Sequence, residues 1–146
     1  MKAKLLDERD GRRTYMLVCD VGDEVTSSLL EFARETHLEG SSFTAIGAFE
    51  DVVFGWFDWD AKEYRRIPLS EQVEVVSFAG NIALSSTGEP ALHAHVAVAK
   101  QDGSAWGGHL LEAHVRPTLE VVLIESPTHL RRKVDPRYGF AFISSG

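Results

Sequence analysis

The chain has little sulfur chemistry available to it: one cysteine, Cys19, in 146 residues. A single thiol cannot staple a chain to itself, so the core must hold the fold, and a reducing compartment suits it. Long apolar runs are also missing. No segment approaches the roughly 20 apolar residues of a membrane helix, and the opening MKAKLLDERDGRR lacks the apolar stretch of a signal peptide. The expectation is a cytoplasmic protein with no membrane partner. Positive charge is scarce, with 15 Lys and Arg against 22 Asp and Glu and a formal net charge of -7. Affinity for phosphate backbones comes from cations that release counterions, so this balance argues against unaided nucleic-acid binding. Helical periodicity is sparse too, which excludes a doubly wound parallel sheet with its helix between most strands. Phosphate loops, dinucleotide fingerprints and nucleophile motifs are absent.

What is present suits one globular domain spanning 1–146. A chain of this length buries roughly 68 to 70 % of its unfolded surface without a metal or disulfide. Residues 13–20 (RTYMLVCD) alternate as a core strand, with Tyr15, Leu17 and Cys19 on one face and Met16 and Val18 on the other. The following VGDEVTSSLLEFARETHLEG predicts a helix: Asp23 to cap it, Leu29, Leu30, Phe32 and Ala33 as its apolar stripe, and Gly40 to end it. From Ser41 onward SSFTAIGAF, DVVFGWFDW and KEYRRIPL read as three antiparallel neighbours. The second is apolar on both faces, Val52, Phe54 and Trp56 against Val53, Phe57 and Trp59, and needs cover on each.

Residues 71–85 form one long strand or a pair broken near Gly80-Asn81, and TLEVVLIE (118–125) forms another strand. THLRRKVDPRYG (128–139) reads as polar connection before a last strand, FAFIS. Many strands and one helix give an α+β fold on a largely antiparallel sheet.

The chemistry concentrates in ALHAHVAVAKQDGSAWGGHLL, residues 91–111. In a strand His93 and His95 share a face, because alternate side chains point the same way. Whether His109 joins them depends on the turn. A two-residue Asp102-Gly103 turn carries His109 opposite Val96 and onto the wrong face. A three-residue Gln101-Asp102-Gly103 loop, bulged at a left-handed Gly103, puts His109 opposite His95. In that register three imidazoles converge, and three nitrogen ligands leave a fourth zinc position open, as in catalytic rather than structural sites. Gly107 and Gly108 would let a backbone or ligand approach closely.

Other candidates carry blander readings. Glu112 lies three residues past His109 and points to the opposite face unless a bulge intervenes. Glu89, in the loop before the HAH strand, is a weaker acid–base candidate. His37, His114 and His129 read as helix-end or surface residues. Arg131, Arg132, Lys133 and Arg137 form the densest basic cluster, read as a solvated surface paired with acidic neighbours. Cys19 reads as a small buried hydrophobe, and Trp56, Trp59 and Trp106 as core or interface fillers.

In order and spacing, GDEVTSSLLEFARE, FTAIGAFEDVVFGWFD, VEVVSFAGNIAL, HAHVAVAKQDGSAWGGHL and RRKVDPRYGFAF resemble the plant and prokaryote conserved (PPC) domain, over nearly the whole chain. The resemblance implies an antiparallel sheet with flanking helices, a homotrimer, and a histidine cluster in prokaryotic members. It also implies likeness to the acetolactate decarboxylase fold, in which three histidines hold zinc; by motif these fall on His93, His95 and His109. Plant members bind A·T-rich DNA through a separate RGRP hook, which this sequence lacks. The function the resemblance implies is a metal-binding trimer whose chemistry is open, with a DNA-associated regulator as the alternative.

Overall fold

A computed structural model describes residues 1–144. In chain order the elements are β1 (Lys2–Arg9), β2 (Arg12–Cys19), α1 (Val25–Glu35), β3 (Gly40–Asp58), β4 (Glu63–Leu69), β5 (Val73–Leu84), β6 (Pro90–Ala99), β7 (Ala105–Glu125), β8 (Arg131–Asp135) and β9 (Phe140–Ser144). Strands dominate, and α1 is the one helix among the described residues. The flanking helices implied by resemblance therefore reduce to one. Only the segment around Leu29 and Phe32 repeats its apolar residues at helical spacing; elsewhere β-branched and aromatic residues alternate or run together.

All nine strands join one sheet, and every multi-residue ladder in it is antiparallel. The single Leu84–Arg131 pair between β5 and β8 is parallel. β3 pairs with both β5 and β7, and β6 bridges β5 and β7, so these four strands close into a ring. Closure pairs each of them on both sides over part of its length, while residues 90–94 of β6 pair with β5 alone. Phe43, Phe49 and Phe78 fill the interior edge to face, with centroids 5.2 Å apart for Phe43–Phe78 and 6.4 Å for Phe49–Phe78.

Helix α1 packs on β6 and β7 through buried Val25, Leu29, Phe32 and Ala33. Its start differs from expectation by one residue. Glu24 is the N-cap, accepting from the amides of Thr26 and Ser27 at 3.0 and 2.7 Å, while Asp23 is drawn away to the N-terminal amine at 2.8 Å. Its end comes earlier than Gly40. His37 adopts a left-handed φ of 53°, and the amides of His37 and Leu38 donate back to the carbonyls of Arg34 and Ala33, a Schellman closure made without glycine.

The 41–59 block also differs from the expected pair of neighbours. It is one 19-residue strand, β3. Gly47 and the acidic Glu50-Asp51, which resemble breaks in sequence, instead sit among register shifts that bend the strand without ending it. Likewise 71–85 holds the single unbroken strand β5. β1 carried no sequence signal because all eight of its residues are exposed and none alternates into a core. The supposed polar connection at 128–139 contains β8, which forms a hairpin with β9.

Candidate metal centre

The β6–β7 turn settles the register that the sequence left open. The Lys100 amide donates to the Ser104 carbonyl at 2.9 Å, and Gly103 sits between them at φ 80°, in the left-handed conformation. The loop is therefore Gln101-Asp102-Gly103, and His95 lies directly opposite His109. Ala94, Val96 and Val98 point into the ring. His93 and His95 consequently lie on its outer face, with His109 beside them.

There the three imidazoles form a triangle with centroids 5.2, 5.2 and 5.5 Å apart. Each offers a nitrogen within 4.8 Å of the other two. Burial, and then the charge of Arg132 and His95, lowers the His93 pKa. Burial most of all, followed by His93, His95 and Arg132, holds His109 down to about 4. Near pH 7 His109 is thus neutral, with a lone pair to give, as a metal ligand must be. Among the described residues its buried Nδ1 has no hydrogen-bond partner, and a cation at the triangle would fit this donor-rich, neutral set.

Residues beyond the histidines complete the site. Tyr64 of β4 stacks on His109, centroids 4.4 Å apart and planes 17° from parallel. Arg132 of β8 is only 7 % exposed; its guanidinium donates to Asn81 Oδ1, next to His93 across the β5–β6 ladder. Phe140 and Phe142 of β9 wall the same cavity of about 410 Å³, which His93, His109 and Tyr64 also line. Arg132 is hidden in sequence because 128–139 reads as polar connection, whereas Tyr64, Phe140 and Phe142 lie in segments that read as strands without a chemical motif. The alternation Arg131-Arg132-Lys133-Val134 was the available signal: read as a strand, it turns Arg132 away from its two basic neighbours.

The remaining candidates fall outside the triangle. A register shift does separate His109 from Glu112, but the Glu112 carboxylate is held by Arg66 at 2.9 Å. Glu89 pairs with Arg34 of α1 at 3.7 Å. His114 bonds Asp51 at 2.8 Å, which raises its pKa, and His129 is exposed. Gly107 and Gly108 admit neighbouring strands rather than a ligand, since a Cβ on them would meet the Val96 carbonyl at 2.9 Å and the Gly55 carbonyl at 3.1 Å. Cys19 is fully buried, and burial pushes its thiol up to about 11. Trp56, Trp59 and Trp106 do not fill the core of the chain; all three are exposed, each beside a cation. The basic cluster is dispersed, with Arg132 buried and Arg137 clamped to Asp135 at 2.7 Å.

Residues 6–127 match the model of the Plants and Prokaryotes Conserved (PCC) domain. The chain belongs to this family. Among solved PCC-like structures, a plant- and prokaryote-conserved protein of Pyrococcus horikoshii is 31% identical, with a TM-score of 0.85 over 99% of this chain and 95% of that one. A Ralstonia eutropha JMP134 protein described as a "putative DNA-binding protein" is 30% identical, with a TM-score of 0.86 over 98% and 96%. A metal-containing protein of Archaeoglobus fulgidus is 28% identical, with a TM-score of 0.83 over 99% of both chains.

The PCC fold also aligns, at 14% identity and a TM-score of 0.54 over 74% of this chain and 50% of the other, with a Staphylococcus aureus protein similar to alpha-acetolactate decarboxylase. That likeness concerns fold alone. The bifunctional protein GlmU of Synechococcus sp. (strain JA-3-3Ab) is 30% identical over 131 residues, 88% of this chain. The chain spans about a fifth of the length of the curated relatives it matches. No helix among the described residues is long and apolar enough to cross a membrane.

Proposed function

We propose that this PCC domain holds a divalent metal, zinc, through His93, His95 and His109, and uses it on a small molecule. The observation that carries the reading is the convergence of three ligand-bearing imidazoles on one face, each nitrogen within 4.8 Å of the others. The depressed pKa values of His93 and His109, the orphaned Nδ1 of His109 and the metal-containing Archaeoglobus relative support it. A divalent metal held by three histidines keeps a position open and supplies Lewis acidity there.

The chain's own residues do the rest. Tyr64 fixes the His109 ring by stacking on it, and Phe140 and Phe142 keep water from one side of the cavity. Neither Glu112 nor Glu89 is placed to move a proton in it. Metal analysis of protein purified without an affinity tag tests the proposal: one equivalent per chain is expected, and a stoichiometry near zero after growth with zinc would overturn it.

The working unit proposed is a homotrimer. On the outer face of the β2–β7–β3 sheet, Val122 and Ile46 are exposed at 37% and 64%, with Glu120 between Val18 and Ile46. Apolar surface of that kind favours burial against another copy. Light scattering should return three times the 16.2 kDa chain mass.

The alternative reading is a DNA-associated regulator, favoured by the description of the Ralstonia relative. Among the described residues no ion pair engages Arg131 or Lys133, the two exposed members of the 131–137 cluster besides Arg137. Filter binding to duplex DNA at low salt, where electrostatic affinity is greatest, decides it.

A further inference from the structure

Arg132 is a cation with an unfinished set of partners. It is more than nine-tenths buried, one guanidinium nitrogen is taken by Asn81, and its buried Nε has no hydrogen-bond partner among the described residues. Among the described residues no carboxylate pairs with it. A buried charge without a counter-charge is costly, and the cost persists only where something offsets it. Asn81 is neutral. It orients the guanidinium without compensating its charge.

The side chain lines the cavity of about 410 Å³ shared by His93 and His109, and its charge is felt by both rings. Apart from the histidines and Arg132 the lining is largely apolar, with Phe140, Phe142 and Ile143 among it and the Tyr64 ring beside His109. Among the described residues Arg132 is the one lysine or arginine that lines the cavity. From this arrangement we infer that the cavity binds a small monocarboxylate, its carboxylate on the Arg132 guanidinium and its apolar body against Phe140 and Phe142. A planar guanidinium matches a carboxylate in shape. One cation matches one negative charge, which favours a carboxylate over a doubly charged phosphate. The inference deepens the metal-site reading by naming the substrate class, yet its anchor is Arg132 and not the metal. His95, a proposed metal ligand, does not line the cavity.

The test is calorimetric titration of benzoate, its neutral isostere benzamide, and inorganic phosphate, at constant ionic strength, into metal-free and zinc-loaded protein. Benzoate is expected to bind both forms, roughly tenfold or more tighter than benzamide or phosphate. His95→Ala should lose zinc binding and keep benzoate binding in the metal-free form. Arg132→Gln should lose benzoate while still binding zinc. If that variant fails to fold by circular dichroism, the benzoate–benzamide comparison in the unmodified chain still decides. Equal affinity for acid and amide, no benzoate binding to either form, or tighter binding of phosphate than benzoate would each overturn the inference. Zinc titration alone reports on the metal reading, so the two can fail separately.

Discussion

The metal-site reading makes a quantitative demand on thermal stability. A ligand that binds only the folded state adds RT ln(1 + [L]/Kd), about 2.7 kcal/mol at a free concentration of 100 Kd. For a chain of this size each kcal/mol moves Tm by about 2–4 °C, so zinc added to chelator-stripped protein should raise Tm by roughly 5–11 °C. Burial decides which histidine to remove as the control. His95 is exposed and meets His93 and His109 only edge to face; His95→Ala should leave the metal-free Tm almost unmoved, as surface substitutions do, within about 0.5 kcal/mol. The zinc-induced rise should then vanish.

His109→Ala is a less direct control, because two effects oppose in the metal-free form. It removes the orphaned Nδ1, whose burial costs about 1–3 kcal/mol, and it removes the stack under Tyr64, worth about 0.5–1.5 kcal/mol. The metal-free variant should therefore lie between about 0.5 kcal/mol less and about 2.5 kcal/mol more stable than the unmodified chain, and be equally blind to zinc. Scanning fluorimetry of the three proteins with and without zinc gives the answer. An equal zinc shift in the unmodified protein and in His95→Ala would refute the three-histidine site, as would the absence of any shift in the unmodified protein.

Four further outcomes are expected. Glu24→Ala removes the carboxylate that caps α1 and should cost about 1 kcal/mol, measured by urea denaturation; a change below the error of the titration would mean the cap is dispensable. Phe78→Ala empties the centre of the ring and should cost about 3–5 kcal/mol in the same assay. Glu112→Gln breaks the exposed pair with Arg66 and should leave zinc affinity unchanged, whereas a large loss would bring Glu112 into the site. His114 has a folded pKa raised above 6.5, chiefly by its bond to Asp51, so its contribution is fully present below pH 6.5 and is lost as pH rises through that raised value. The Tm difference between the unmodified chain and Asp51→Asn should accordingly shrink with rising pH, and a difference that grew would contradict the assignment.

How far the sequence reaches can be judged element by element. β2 and α1 were legible because each presents one buried face at its own period: Tyr15, Leu17 and Cys19 at two, Leu29, Phe32 and Ala33 at helical spacing. β1 was not, since none of its residues is buried and no pattern records the pairing. Asp23 and Glu24 are both chemically able to cap, and the tertiary structure engages Asp23 elsewhere, with the N-terminal amine and the Asp20 amide.

The sequence by itself determined that a β-rich chain without an internal disulfide carries histidines at 93, 95 and 109, with a turn around Asp102-Gly103 between their strands. It allowed two registers, because local turn chemistry permits both a two-residue and a three-residue loop. The tertiary structure chose, since β7 is held along its length by β3 and β6 by β5, and those ladders fix His109 opposite His95. It also decided what surrounds the triangle. Arg132 and Tyr64 come from segments far along the chain, and strand pairing over such distances leaves no local trace in sequence. A basic residue read as solvated surface became, through the β8–β9 hairpin, the buried cation beside the histidines.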